Sequence, residues 1–178
     1  MSRKLHIGGE IPHPDWEILD AIPGPHVDHI GNANDLSRFA DGTFAALYAS
    51  HVLEHFDYMG ELFKTLKEWK RVLEPGGTLH ISVPDLDVLA SLFLRKDQFS
   101  VDERFEIQRM MFGGHISPHD YHLVGLNAEF LTVFLRGAGF VDIRQVPELG
   151  LFVDTSTMKV GEVLISLNMV AQKPGVSS

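Results

Sequence analysis

The stretch Leu73-Glu74-Pro75-Gly76-Gly77-Thr78-Leu79 marks a helix that stops abruptly and continues as a buried strand. Upstream of it, Tyr48-Ala49-Ser50-His51-Val52-Leu53-Glu54-His55 marks a strand that runs into a polar cluster. A strand, a helix and a second strand in that order, with chemistry at the first strand's tip, predict a helix-covered parallel sheet. Such a sheet has its ligand crevice at the carboxyl ends of its strands.

The rest of the chain keeps the same rhythm. Lys4 to Ile7 reads as a first strand ending at Gly8-Gly9, Trp16 to Asp20 as a second, and Val27 to Ile30 as a weak third. Gly31 to Gly42 is polar and turn-rich. Phe44 to Ala49 is apolar on both faces, as a central parallel strand should be. Asp57 is expected to cap a helix from Tyr58 to Leu73, whose Met59, Leu62, Phe63, Leu66, Trp69 and Leu73 recur at helical spacing. Thr78 to Val83 forms the fifth strand. Three further helices are expected: one capped by Asp85 or Asp87 and running to Arg95, one over Val101 to Met111, and one from Asn127 to Arg136. A histidine-rich loop, Gly113 to Gly125, lies between the last two.

Phe140 to Val146 and Val163 to Ala171 form the final strands. No helix joins them, so they are expected to pair antiparallel. Only nine residues, Gly8 to Trp16, separate the first two strands. A full crossover helix needs a dozen or more, so the first crossover is one turn long or absent. The expected fold is therefore an α/β, Rossmann-like, mostly parallel sheet with helices on both faces, a C-terminal antiparallel pair and an abbreviated first crossover.

Composition narrows the function. The 178 residues suit one domain over 1–173 with a flexible tail at 174–178. A net charge of −9 opposes a non-specific grip on nucleic acid or on an acidic membrane surface. The chain has no cysteine, which removes disulfides, thiolate metal sites and cysteine nucleophiles together and suits a reducing cytoplasm. No apolar run is long enough to span a bilayer.

Taken together, these motifs resemble the class I methyltransferases that use S-adenosylmethionine (SAM), and within them the small type 11-like branch. The residues carrying the resemblance are Ile7-Gly8-Gly9, Trp16 to Asp20, Ala49 to His55, Arg71 to Gly77, Val83-Pro84-Asp85 and Ala138-Gly139-Phe140. It covers nearly the whole chain and is most specific in the middle third.

The resemblance implies SAM as cofactor. Gly8 and Gly9 would let the backbone approach the ligand, and Asp20 would accept the ribose hydroxyls. Asn32-Ala33 align with the adenine contact, and Asp35-Leu36 are expected to share that task. Ser50 and His51 would line the crevice beside the sulfonium. The implied acceptor is a small molecule or sugar, with His51, His119 and His122 as candidate bases.

Three departures stand out. Glu10 replaces a motif glycine beside the methionine moiety, Ala45 replaces the aspartate of Phe-Asp, and the first crossover is short. They sustain a second expectation, a methyltransferase fold retained without catalysis and used for binding or structure.

Two other motifs compete. His51-Val52-Leu53-Glu54-His55 spells H-x-x-E-H, the pattern of inverted zinc peptidases, although His51 falls at a strand end rather than inside a helix. The local alternative packs Leu53 inward and pairs His55 nearby. His115, His119 and His122, with Asp120, read as a substrate-facing wall or a solvated loop before they read as a metal site. No metal-ligand set is assigned from sequence.

Overall fold

The computed structural model describes residues 2–176. Ser177 and Ser178, the end of the expected tail, lie outside the described residues. Pro174 to Val176 are exposed and carry no regular structure.

The strands are β1 (Arg3–Ile7), β2 (Glu17–Asp20), β3 (His29–Ile30), β4 (Phe44–Ser50), β5 (Leu73–Pro84), β6 (Val141–Gln145), β7 (Lys159–Val160), β8 (Val163–Leu164) and β9 (Ser166–Gln172). The helices are α1 (Glu61–Val72), α2 (Leu86–Phe93), α3 (Val101–Phe112) and α4 (Ala128–Ala138). One seven-stranded sheet runs in the order β3-β2-β1-β4-β5-β9-β6. Strands β1 to β5 pair parallel, while β9 is antiparallel to both β5 and β6. The order reverses between β1 and β4, which is where a sheet of this kind opens its crevice.

Alternation along the strands sorts side chains to two faces. Leu5, Ile7, Leu47, Ala49, Leu79, Ile81, Val83, Leu167 and Met169 fill one face. They are buried with Leu62, Leu66 and Trp69 of α1 and with Leu131 and Leu135 of α4. The other face carries buried His6, Tyr48, Ser82 and Asn168. Across it lies the connection 147–157. Tyr48 Oη donates to Asp154 Oδ2 at 2.8 Å, and Asn168 Nδ2 donates to the Ser156 carbonyl at 3.0 Å. Phe152 packs there with Trp16, Ala46 and Tyr48. This connection does not fold over the crevice; it straps the sheet, because polar strand residues supply partners for its backbone. Helices α2 and α3 join each other and Ile165 through Leu89, Leu92 and Ile107.

Several boundaries differ from the sequence pattern. Asp57 does not cap α1. Its Oδ1 accepts from Met59 N at 2.6 Å, a local turn that competes with helix, and α1 begins only at Glu61. At the other end, β5 starts at Leu73 and includes Pro75-Gly76-Gly77, where its register against β4 breaks and Gly76 takes φ 79. Lys173 Nζ donates to the carbonyls of Arg71 and Leu73 at 3.2 and 2.7 Å, so the helix end is satisfied by a side chain rather than by further turns. Residues 8–16 hold no helix, only a bridge between His13 and Trp16. Asp85 accepts from Asp87 N and Val88 N, and Asn127 accepts from Phe130 N. Both caps form where the sequence puts them. No described helix is long and apolar enough to cross a membrane.

Candidate functional site

A cleft of about 690 Å³ opens at the carboxyl ends of β1, β2 and β4. That size suits a drug-sized or nucleoside-sized ligand. Gly8, Glu10, Asp20, Asn32, Ala33, His51 and His119 line it, joined by Leu19, Ile22, Val52, His55, Phe56, Glu61, Tyr121 and Leu123.

Each strand tip has a local reason for its shape. Gly8 sits at φ 70, and a Cβ there would lie 2.7 Å from Val52 Cγ2. Only glycine turns the chain at this point without strain. Gly8 N donates to the Leu19 carbonyl at 2.8 Å, which ties the turn to β2. Asp20 uses Oδ1 to accept from Ile22 N at 2.7 Å, which fixes the carboxylate at the cleft wall. The carbonyl of Ala33 accepts from Trp69 Nε1 at 2.7 Å, so a core tryptophan of α1 holds the Asn32-Ala33 segment in place.

Other sequence-nominated residues lie elsewhere. Gly9 is buried, and a Cβ on it would lie 2.6 Å from His6 Cγ; its small size serves packing. Leu36 is fully buried in the main core. Asp35 is exposed, and its Oδ1 accepts from Ser37 N at 3.1 Å. Ser50 Oγ faces Thr155 Oγ1 at 2.9 Å, on the strapped side of the sheet. Strand alternation explains this: Ala49 takes the core face and Ser50 the opposite one. Ser50 is therefore not brought together with Gly8, Asp20 and Asn32.

The H-x-x-E-H residues straddle the end of β4 and a short 3₁₀ turn, Leu53–His55. No α-helix presents the two histidines on one face, so the peptidase geometry is absent. His51 takes φ 54, rare for a residue with a side chain, and such strain recurs at functional sites. Its Nε2 meets Ser166 Oγ at 2.9 Å and its Nδ1 stands 3.7 Å from Glu54 Oε1. Burial, then the neighbouring His122, pushes the His51 imidazole down to about 4. Glu54 is 1% exposed, and burial pushes its carboxyl up to about 8.

The Glu54 carbonyl accepts from Leu123 N at 2.8 Å and Val124 N at 3.3 Å. This docks the histidine-rich loop and delivers His122 Nε2 to 3.9 Å from Glu54 Oε1. His122 thus lies behind the cleft wall rather than on it, its imidazole lowered to about 4 by burial and by His55. His119 is exposed on the cleft, and His115 stacks on Tyr121 with ring centroids 4.1 Å apart. Sequence reasoning met Glu54 only as part of the H-x-x-E-H pattern and did not nominate it for the site. The signal was present: an acidic residue between two histidines, ahead of a second histidine-rich segment.

Residues 20–81 match a methyltransferase domain family. The match begins at Asp20, just past the abbreviated crossover. A SAM-dependent methyltransferase from Archaeoglobus fulgidus superposes with TM-score 0.60 at 18% identity, over 97% of this chain and 86% of that one. The chain has the class I methyltransferase fold. Another such enzyme, from Methanosarcina mazei, gives TM-score 0.60 at 17% identity, covering 98% and 93% of the two chains. A third methyltransferase, the 1,6-didemethyltoxoflavin N1-methyltransferase of Burkholderia thailandensis with bound S-adenosylhomocysteine, gives 0.60 at 16% identity, over 97% and 71%. The methyltransferase fold here spans only 49% of the length of the CurJ carbon methyltransferase, which it resembles at TM-score 0.57 and 19% identity over 98% of this chain. No curated protein sequence matches the chain significantly.

Proposed function

We propose that the chain is a SAM-dependent methyltransferase acting on a small-molecule or sugar acceptor. One observation carries this reading: Gly8, Asp20 and Asn32-Ala33, from three adjacent strand tips, border one cleft together with His51 and His119. The donor set fits the cofactor. A glycine turn permits close backbone approach, a carboxylate faces the wall where a diol would sit, and an amide can pair with an adenine edge. Bound there, SAM would supply a methyl group already activated by its sulfonium.

The chain's own part is alignment and proton handling. Holding an acceptor in line can contribute several kcal/mol. His119, exposed on the cleft, is the proton acceptor of this proposal; a positioned base typically contributes about 10²–10⁴-fold. His51, held by Ser166, is too weakly basic at about 4 to keep a proton and serves as a neutral hydrogen-bonding wall. The expected cytoplasmic setting rests on the cysteine-free composition alone.

Isothermal titration with SAM and S-adenosylhomocysteine tests the reading. Heat from both ligands is expected, with Asp20→Ala weakening binding at least about tenfold, the loss of one charge-assisted hydrogen-bond pair. Absence of heat with either ligand would sink it. A specific observation favours a second reading: Glu10 is exposed on the cleft where bulk and charge disfavour the methionine moiety. A retained fold without catalysis predicts weakened SAM binding and no methyl transfer to any hydroxyl or carboxylate acceptor.

A further inference from the structure

We propose that Glu54, His55 and His122 bind one divalent first-row transition-metal ion beside the cleft. One ligand atom from each residue lies within 4.8 Å of the other two. The Glu54 Oε1 to His122 Nε2 separation of 3.9 Å is too long for a hydrogen bond but spans two sites on one ion. Metal–ligand bonds of about 2.0–2.2 Å place neighbouring donors roughly 3–4 Å apart.

The second observation is independent of that spacing. Glu54 is 1% exposed, and neither carboxylate oxygen has a hydrogen-bond partner among the described residues. Buried polar atoms are almost always paired, and an unpaired carboxylate is among the costliest exceptions. A cation held between the oxygen and two imidazoles removes that exception.

The surroundings prepare the donors. His55 Nδ1 lies 3.0 Å from the Tyr121 carbonyl. Donating there fixes the tautomer and leaves Nε2 with its lone pair, the usual outer-shell arrangement of a metal-binding histidine. The rings of His55 and His122 stand 4.9 Å apart, nearly perpendicular. His51 Nδ1 approaches the same Glu54 oxygen at 3.7 Å and either orients it or completes the set. Two imidazoles and a carboxylate suit zinc, manganese, iron, cobalt or nickel better than calcium or magnesium. Three protein ligands leave positions open. His55 lines the cleft, so an open position faces whatever occupies it.

The test uses tag-free protein stripped with chelator and titrated with Zn²⁺, Mn²⁺ and Co²⁺ alone. One ion per chain is expected, and bound Co²⁺ should show the visible absorption of a nitrogen–oxygen site. Glu54→Gln and His122→Asn should each weaken binding at least about tenfold, as loss of one ligand does. His26→Ala, remote from the cluster, should leave binding unchanged. His55→Gln, at the cleft rim, keeps the test open if the two buried variants fail to fold. No bound ion, or equal binding in the His55→Gln chain, overturns the proposal. Because no SAM is present, either result leaves the methyltransferase reading to its own titration.

Discussion

At the scale of single residues, two positions carry constraints that sequence alone states only in part. Gly8 combines a left-handed backbone with a side-chain neighbour at 2.7 Å. Gly8→Val is therefore expected to lose at least about 2 kcal/mol of stability and to abolish detectable SAM binding. Denaturant titration and calorimetry check the two effects separately. His6 is 3% exposed between Tyr48 and Phe152, its Nδ1 unpaired, with Asp154 the charged neighbour that opposes the shift. Burial lowers its imidazole to about 4 from the usual 6.5. The unfolded chain then binds more protons than the folded one between those values, so stability falls as pH drops through that window. His6→Phe should narrow the stability difference between pH 7 and pH 4 by up to about 3 kcal/mol. Urea titrations at the two pH values measure it, and an unchanged difference would show that His6 is not responsible.

At the scale of elements, the helix-to-strand junction that dominates the sequence has a structural function that its motif does not announce. Arg71, two residues before the junction, donates to Glu68 in a bidentate pair, to Asp41, and to the carbonyls of Leu36 and Phe39. These bonds clamp the helix-free segment 31–42 onto α1, in place of the helix a longer crossover would supply. Arg71→Met keeps the aliphatic packing but strands two buried-side carbonyls. A loss of about 2–3 kcal/mol is expected, readable as a lower denaturant midpoint. SAM binding should weaken too, because Asn32-Ala33 begin the same segment. Wild-type affinity in this variant would show that Trp69 alone positions them.

At the scale of the whole molecule, the sheet is covered unequally. Helices α1 and α4 bury one face, while the 147–157 strap fastens to the other through polar contacts. Asp154 is its main anchor, accepting from Tyr48 Oη and from Ser156 N. Asp154→Ala leaves the Tyr48 hydroxyl only its 3.2 Å bond to Ser156 Oγ and strips Ser156 N of its acceptor, and should cost about 2 kcal/mol. Since the strap does not line the cleft, the dissociation constant for SAM should change less than about twofold, a combination that melting curves and calorimetry resolve together.

Residue order determined the local facts of this protein. The helix after His55, the caps at Asp85 and Asn127, the strand alternation and the missing first crossover are all set by neighbours within a few positions, so periodicity and turn chemistry reveal them. The pattern also placed Gly8, Asp20 and Asn32 at strand tips, because a parallel sheet gathers those tips on one edge. Which side chains meet across long separations was decided only in the folded chain. The 147–157 strap holds Ser50 on the face away from the cleft, and packing of the 31–42 segment takes Leu36 into the core. A backbone bond from Leu123 to Glu54 carried His122 across 68 residues to a carboxylate whose burial its H-x-x-E-H setting does not reveal. Burial depends on everything packed around a group, and no local stretch of sequence encodes it.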